Sequence, residues 1–220
     1  MRYNKVAIFI ALAILLYILL IPSTRLFSAE WGQLTINQPS DPVKVRIAKP
    51  NNWQQEILDS DSDISRGFFT FGKDDNISRG LILTGTEPSD YDQTINNIAA
   101  FSKEELTQLA EIIMNSTLFP RNPLTSNLSL VDTITVNKLN ALRVRFTNSY
   151  IYQTNIIFNI HETVIVIYTN KNNTAKSVII DCTYTGSNHF RENITKTFEN
   201  EYNTYCKRFY DSLNILDKQK

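Results

Sequence analysis

Glycine is scarce in this chain of 220 residues: there are 6, alongside 2 histidines and 2 cysteines. So few glycines argue against a nucleotide enzyme built on a glycine-rich phosphate loop. Two histidines argue against a His-rich metal centre. Two distant cysteines with no histidine at ligand spacing argue against zinc. Net charge is missing too, with 22 basic against 22 acidic side chains. No repeat and no low-complexity segment occurs. The 42% apolar and 20% charged content is that of a folded chain, not a disordered one. What the chain has in plenty is aromatic residues, at 11%. Its length suits one domain with an appendage.

The appendage is N-terminal. Arg2 and Lys5 precede an uncharged stretch, Val6 to Thr24, whose strongly apolar part runs Val6 to Ile21. As a helix those residues reach about 24 Å, a little short of the ~30 Å hydrocarbon core. Residues 1–29 are therefore a retained membrane anchor or a cleaved signal peptide. A cut after Ala29 would leave Phe27 where a small residue is wanted. No cysteine follows the run, so a lipid-modified N-terminus is not expected. Arg2 and Lys5 favour a cytoplasmic N-terminus. The expectation is thus a single pass of the inner membrane through residues 6–21, with the remainder in the periplasm, or secretion there if the signal is cut. Without Arg2, Lys5 and Arg25, Glu30 to Lys220 carries 19 basic against 22 acidic residues, a net of −3. That balance argues against nucleic-acid binding, which calls for a basic surface.

The cysteines fit an oxidising compartment. Cys182 falls in a predicted strand and Cys206 in a predicted C-terminal helix. A bridge between them closes a loop of 25 residues, worth about 3.5 kcal/mol on the chain-entropy estimate. Two unpaired buried thiols are the alternative.

Residues 30–42 read as a linker, 43–216 as one domain and 217–220 as a polar tail. Val43 to Ile47 alternates apolar and charged residues as a half-buried strand does. Phe68 to Phe71 and Leu81 to Thr84 read as strands flanking the polar turn Lys73 to Asn76. Ser102 and Glu105 form a capping box, and Leu106, Leu109, Ala110 and Ile113 continue as a helical stripe. Asp92 to Ala100 reads as a short preceding helix. A meander follows: Leu128 to Val136, a turn at Asn137 to Asn140, then Ala141 to Thr147, with Leu142, Val144 and Phe146 on one face and Arg143 and Arg145 on the other. Next come Tyr150 to Ile160, a turn at His161-Glu162, then Thr163 to Thr169. Val164 to Ile167 is apolar on both faces and should be interior, with layers on both sides. Lys176 to Tyr184 is the last strand. Ile194, Phe198, Tyr202, Tyr205, Phe209, Leu213 and Leu216 recur at helical steps and predict a terminal helix docked on the sheet. The fold class is α+β: an antiparallel sheet of about six to eight strands with helices on both faces, preceded by one hydrophobic helix.

Pro50-Asn51-Asn52-Trp53, the turn before Ala141, the segment Ser177 to Tyr184 and the ending Ser212-Leu213 together resemble the PsbP-like and DcrB-like superfamily over roughly Val43 to Leu216. Asn137 or Lys138 stands where the family pattern has a glycine. The resemblance implies an antiparallel sheet between helices and mostly non-enzymatic roles, as accessory subunits, envelope lipoproteins and adaptors. It implies no catalytic residue here.

Motifs tested for chemistry are few. Gly67 to Lys73 matches phosphate-loop spacing, but Asp74 stands where Ser or Thr should bind magnesium, and Phe68 to Phe71 is strand-forming. Asp59, Asp61 and Asp63 copy the first ligands of a calcium loop, yet Ile64 replaces the glycine and Thr70 the bidentate Glu. His161 and His189 read as exposed turn residues with no nucleophile at hand. No catalytic, cofactor-binding or metal residue is nominated. The expected function is a non-catalytic, membrane-anchored binding or accessory protein with a protein partner in the cell envelope. The alternative is a periplasmic immunity protein neutralising a toxic enzyme.

Overall fold

The computed structural model describes residues 30–36, 43–59, 64–71, 76–86, 98, 100–114 and 124–218. The apolar run 6–21 and most of Asp92 to Ala100 lie outside them. Among the described residues, no helix is long and apolar enough to cross a membrane.

The main sheet is antiparallel, in the order β3-β4-β5-β9-β8-β7-β6. Its strands are β3 (Gln54–Asp59), β4 (Ile64–Phe71), β5 (Ser78–Thr86), β6 (Thr125–Val136), β7 (Leu139–Tyr152), β8 (Asn155–Thr169) and β9 (Ala175–Ser187). A second antiparallel sheet has the order β1-β2-β10, from β1 (Trp31–Ile36), β2 (Val45–Pro50) and β10 (Asn214–Ile215). The helices are α1 (Lys103–Met114), α2 (Arg191–Glu201) and α3 (Cys206–Asp211).

The expected antiparallel α+β arrangement is present, but as two sheets rather than one. The small sheet arises where other structure was expected. Residues 31–36, inside the presumed linker, pair with β2, and Asn214 and Ile215, read as helix, pair with its other edge. The terminal helix is broken as well. Thr204 and Tyr205 amides both donate to the Glu201 carbonyl, so the chain turns between α2 and α3. The aromatic spacing survives the break because Phe198, Phe209 and Leu213 still reach one core. Helical periodicity alone cannot see such a turn. β3 was not anticipated.

The other correction concerns β8. His161-Glu162 is no turn but the middle of a fifteen-residue strand. The hairpin turns at Gln153-Thr154 instead, with Tyr152 opposite Asn155 and Gln153 at φ 54°. A polar pair within apolar sequence reads as a turn; here both side chains are buried and paired. The β6–β7 turn was foreseen. Val136 opposes Leu139, and Asn137 and Lys138 take φ 50° and 64°, the two left-handed residues of a type I′ turn. That geometry explains why a glycine would suit this place.

Strand alternation splits the core between the two faces. On one face Leu81, Leu83, Ala141, Phe158, Ile160, Val164, Val166 and the even-numbered β9 residues meet Ile194 and Phe198 of α2, Phe209 of α3 and the small sheet. On the other, Leu142, Val144, Phe146, Ile165 and Ile167 meet Leu109 and Ala110 of α1. Helices therefore lie on both faces, and β8 is interior, between β9 and β7. The capping box forms as expected: the Ser102 amide donates to Glu105 Oε2 at 2.7 Å and the Glu105 amide to Ser102 Oγ at 3.2 Å. A β-carbon on Gly85 would sit 2.1 Å from Val43 Cγ2, so the segment leading into β2 packs on the main sheet where a side chain is missing. Ser212 Oγ accepts from the Ala48 amide at 2.9 Å and donates to the Phe209 carbonyl at 2.8 Å, tying α3 to β2. The polar tail begins docked: Tyr168 donates to Asp217 Oδ1, and Lys218 Nζ to the Asn137 carbonyl.

Candidate functional site

The two cysteines meet. Cys182 on β9 and Cys206 at the start of α3 are bonded, with Cα atoms 5.4 Å apart, and both are buried. The bridge staples a short helix to an interior strand.

His161 is buried, not exposed, because it lies mid-strand on the α1 side. It stacks on Phe146, ring centroids 4.7 Å apart, and its Nδ1 is 2.9 Å from Asp181 Oδ2. Thr163 and Thr183 hydroxyls donate to Asp181 Oδ1 and Oδ2 at 2.7 and 2.6 Å. Burial pushes the Asp181 carboxyl up, but the charge and hydrogen bond of His161, with the two threonines, pull it below its ordinary value. An Asp–His–Thr grouping suggests hydrolytic chemistry, yet Thr183 Oγ1 lies 3.1 Å from the same ring nitrogen that faces Asp181. A catalytic triad puts nucleophile and carboxylate on opposite nitrogens. The grouping satisfies the buried Asp181 carboxylate. His189 is exposed, in a short 3-10 turn (Asn188–Phe190).

On the other face, Glu162 is fully buried. Arg145 reaches its Oε2 through Nε at 2.7 Å and Nη2 at 2.5 Å. Tyr202 and Tyr210 hydroxyls donate to Oε1 at 2.5 and 3.0 Å. The Arg145 guanidinium also lies over the Phe198 and Tyr202 rings at 5.0 and 4.9 Å. Arg143 forks onto Asp132 and donates to Tyr202 Oη at 3.0 Å. Burial first, then the hydrogen bond to Glu162, pushes Tyr202 up, and burial first, then Tyr202 and Glu162, pushes Tyr210 up, so both remain donors. A second pair, Arg79 and Glu201, with Tyr184 donating to the same carboxylate at 2.8 Å, joins β5 to α2. The Leu/Arg alternation of β7 predicted a polar face. It could not show that α2 and α3 cover it.

The acidic stretch after Asp59 starts where β3 ends, and Gly67 to Phe71 lies in β4; Gly72, Lys73 and residues 60–63 are outside the described residues. Among those described, no three metal-binding side chains gather.

Among the described residues, the exposed large apolar side chains gather at one place. The β7–β8 hairpin tip exposes Ile151 (61%), Tyr152 (60%) and Ile156 (44%), and Leu124 (52%), whose amide donates to the Ser149 carbonyl, stands beside them. Ile151 faces Ile156 across the hairpin. Contiguous exposed apolar side chains on a folded domain mark an interaction surface. Arg191, at the start of α2, lies over the Phe158 ring at 5.0 Å, just below.

No family model and no curated protein matches the chain. Among solved structures it is similar to LpqN, described as involved in cell envelope biogenesis of Mycobacterium tuberculosis, at 11% identity and a TM-score of 0.40, over 84% of this chain and 91% of that one. It is also similar to the cyanobacterial PsbP, CyanoP, of Synechocystis sp. PCC 6803, at 12% identity and a TM-score of 0.47, over 86% of this chain and 94% of that one. The resemblance is structural. It stands beside the PsbP-like resemblance carried by Pro50 to Trp53 and Ser212-Leu213, and no function passes to this chain with it.

Proposed function

We propose that this protein is a non-catalytic, membrane-anchored binding or accessory protein of the cell envelope. Its folded domain lies on the periplasmic side and engages an envelope protein. The observation that carries the reading is the buried Cys182–Cys206 bridge, since such bonds persist in oxidising compartments and are rare in the cytosol. The apolar run Val6 to Ile21 behind Arg2 and Lys5 supports a domain delivered across the inner membrane. The polar clusters support a binding scaffold over an enzyme, because their carboxylates are spent on buried arginine, tyrosine, threonine and histidine partners.

Two measurements test it. Alkylation of intact cells without reductant should leave both cysteines unmodified, and the full chain should fractionate with membranes. Affinity purification from solubilised membranes should then recover a stable partner. Freely alkylated thiols in a soluble cytosolic protein would overturn the compartment. Repeated recovery of the protein alone, after crosslinking, would overturn the binding role.

A further inference from the structure

The exposed hairpin tip has a composition suited to one kind of surface. From Thr147 to Ile160 the chain holds no charged residue and no histidine. Apolar side chains occupy both faces of the tip: Ile151 and Ile156 on the α2 side, Tyr152 on the α1 side. The opposite end of the sheet is unlike it, with the turn at Asn137-Lys138, the exposed Lys171 to Thr174 turn, and Asp217 and Lys218. An uncharged tip pairing isoleucines with a tyrosine has the amphipathic make-up of residues at a membrane–water boundary, where a ring can bury its body and keep its hydroxyl wet.

Chain length brings that tip within reach of a bilayer. The described chain starts at Glu30, nine residues after Ile21, so the tether spans at most about 30 Å. It leads into Trp31, which stacks on Tyr205 at 6.0 Å. Tyr205 precedes Cys206, which is bonded to Cys182, and Cys182 pairs with Glu162. The tether thus joins level with the middle of β8. The tip begins seven residues away at Asn155, about 23 Å at the strand rise. A tether of that length holds the domain within its own length of the membrane and lets the tip touch it.

We propose that the β7–β8 tip, through Ile151, Tyr152, Ile156 and Leu124, seats the domain in the lipid surface of the membrane that holds the anchor. The inference rests on the anchor reading above. The contact is apolar rather than ionic: the neighbouring Arg191, Lys196 and His189 are offset by Glu192 and Glu199, with Lys196 Nζ 3.3 Å from Glu192. Seating should therefore depend little on anionic lipid.

The test uses the full chain reconstituted into vesicles of phosphatidylcholine, with and without phosphatidylglycerol. The native cysteines are bonded, so an environment-sensitive dye can be placed on I151C or, at the opposite end, on N172C. Both positions are exposed, so the fold tolerates the change. The dye on I151C should emit blue-shifted light, be quenched by nitroxide lipids and resist iodide several-fold better than the dye on N172C. The added change Tyr152→Asp should abolish that protection. A chain that floats with the vesicles while the I151C dye stays as open to iodide as the N172C dye overturns the seating and leaves the anchor intact. Protection that arises only when membrane proteins are added overturns it in favour of a protein partner. A chain that fails to float overturns the anchor, and the seating with it.

Discussion

Glu162 and Asp181 are two buried carboxylates nearly back to back: Asp181 pairs with Thr163, and Glu162 with Cys182, the next residue along each strand. They face opposite sides of the sheet and are held differently. Glu162 has a permanent cation, Arg145, and two phenols kept protonated by burial. Asp181 has His161 and two neutral hydroxyls. The α2–α3 side is thus secured by a guanidinium and two phenols, the α1 side by an imidazole and two hydroxyls. The bonded cysteine reinforces the first side only.

The largest effect should come from Glu162→Ala. It leaves the Arg145 guanidinium and two tyrosine hydroxyls without their acceptor, and breaking a buried ion pair costs about 3–5 kcal/mol. Urea unfolding measures it; a change within error would show that Arg145 escapes to solvent. Next is the paired replacement of Cys182 and Cys206 by Ala, with an expected loss of about 3.5 kcal/mol, read under non-reducing conditions. Asp181→Asn should cost less, about 2 kcal/mol at neutral pH, and should change the shape of the pH profile. The folded pKa of Asp181 lies below the 3.8 of the unfolded chain. Its contribution is therefore complete above that value and lost as pH falls through the folded pKa. The variant should show a flatter acid limb than the parent in unfolding measured across acid pH. Ser212→Ala should be smallest, about 1 kcal/mol, since it removes the acceptor of one backbone amide.

Much of this was legible in the sequence, where local pattern and tertiary fate agree. The Ser102–Glu105 cap, the α1 stripe, the Asn137-Lys138 turn and the two-faced apolar run of β8 all follow from short-range rules. What failed depends on distant chain. Trp31 to Ile36 becomes a strand only because β2 offers an edge. Asn214 and Ile215 leave the helical period for the same edge. His161 and Glu162 pass for a turn because polarity in sequence says nothing about partners twenty to forty-eight residues away, such as Asp181, Tyr202 and Tyr210. The hairpin tip at Gln153-Thr154 was hidden by the isoleucines and tyrosines that make it a surface of interest.

Trp31 and Trp53 are the only tryptophans of the chain, and both lean on the same two rings, Tyr205 and Phe209, at 5.4 to 6.0 Å. The protein's whole indole emission therefore gauges a single joint, the perch of α3 beside Cys206. Loosening of that helix would announce itself in the native fluorescence, with no probe attached.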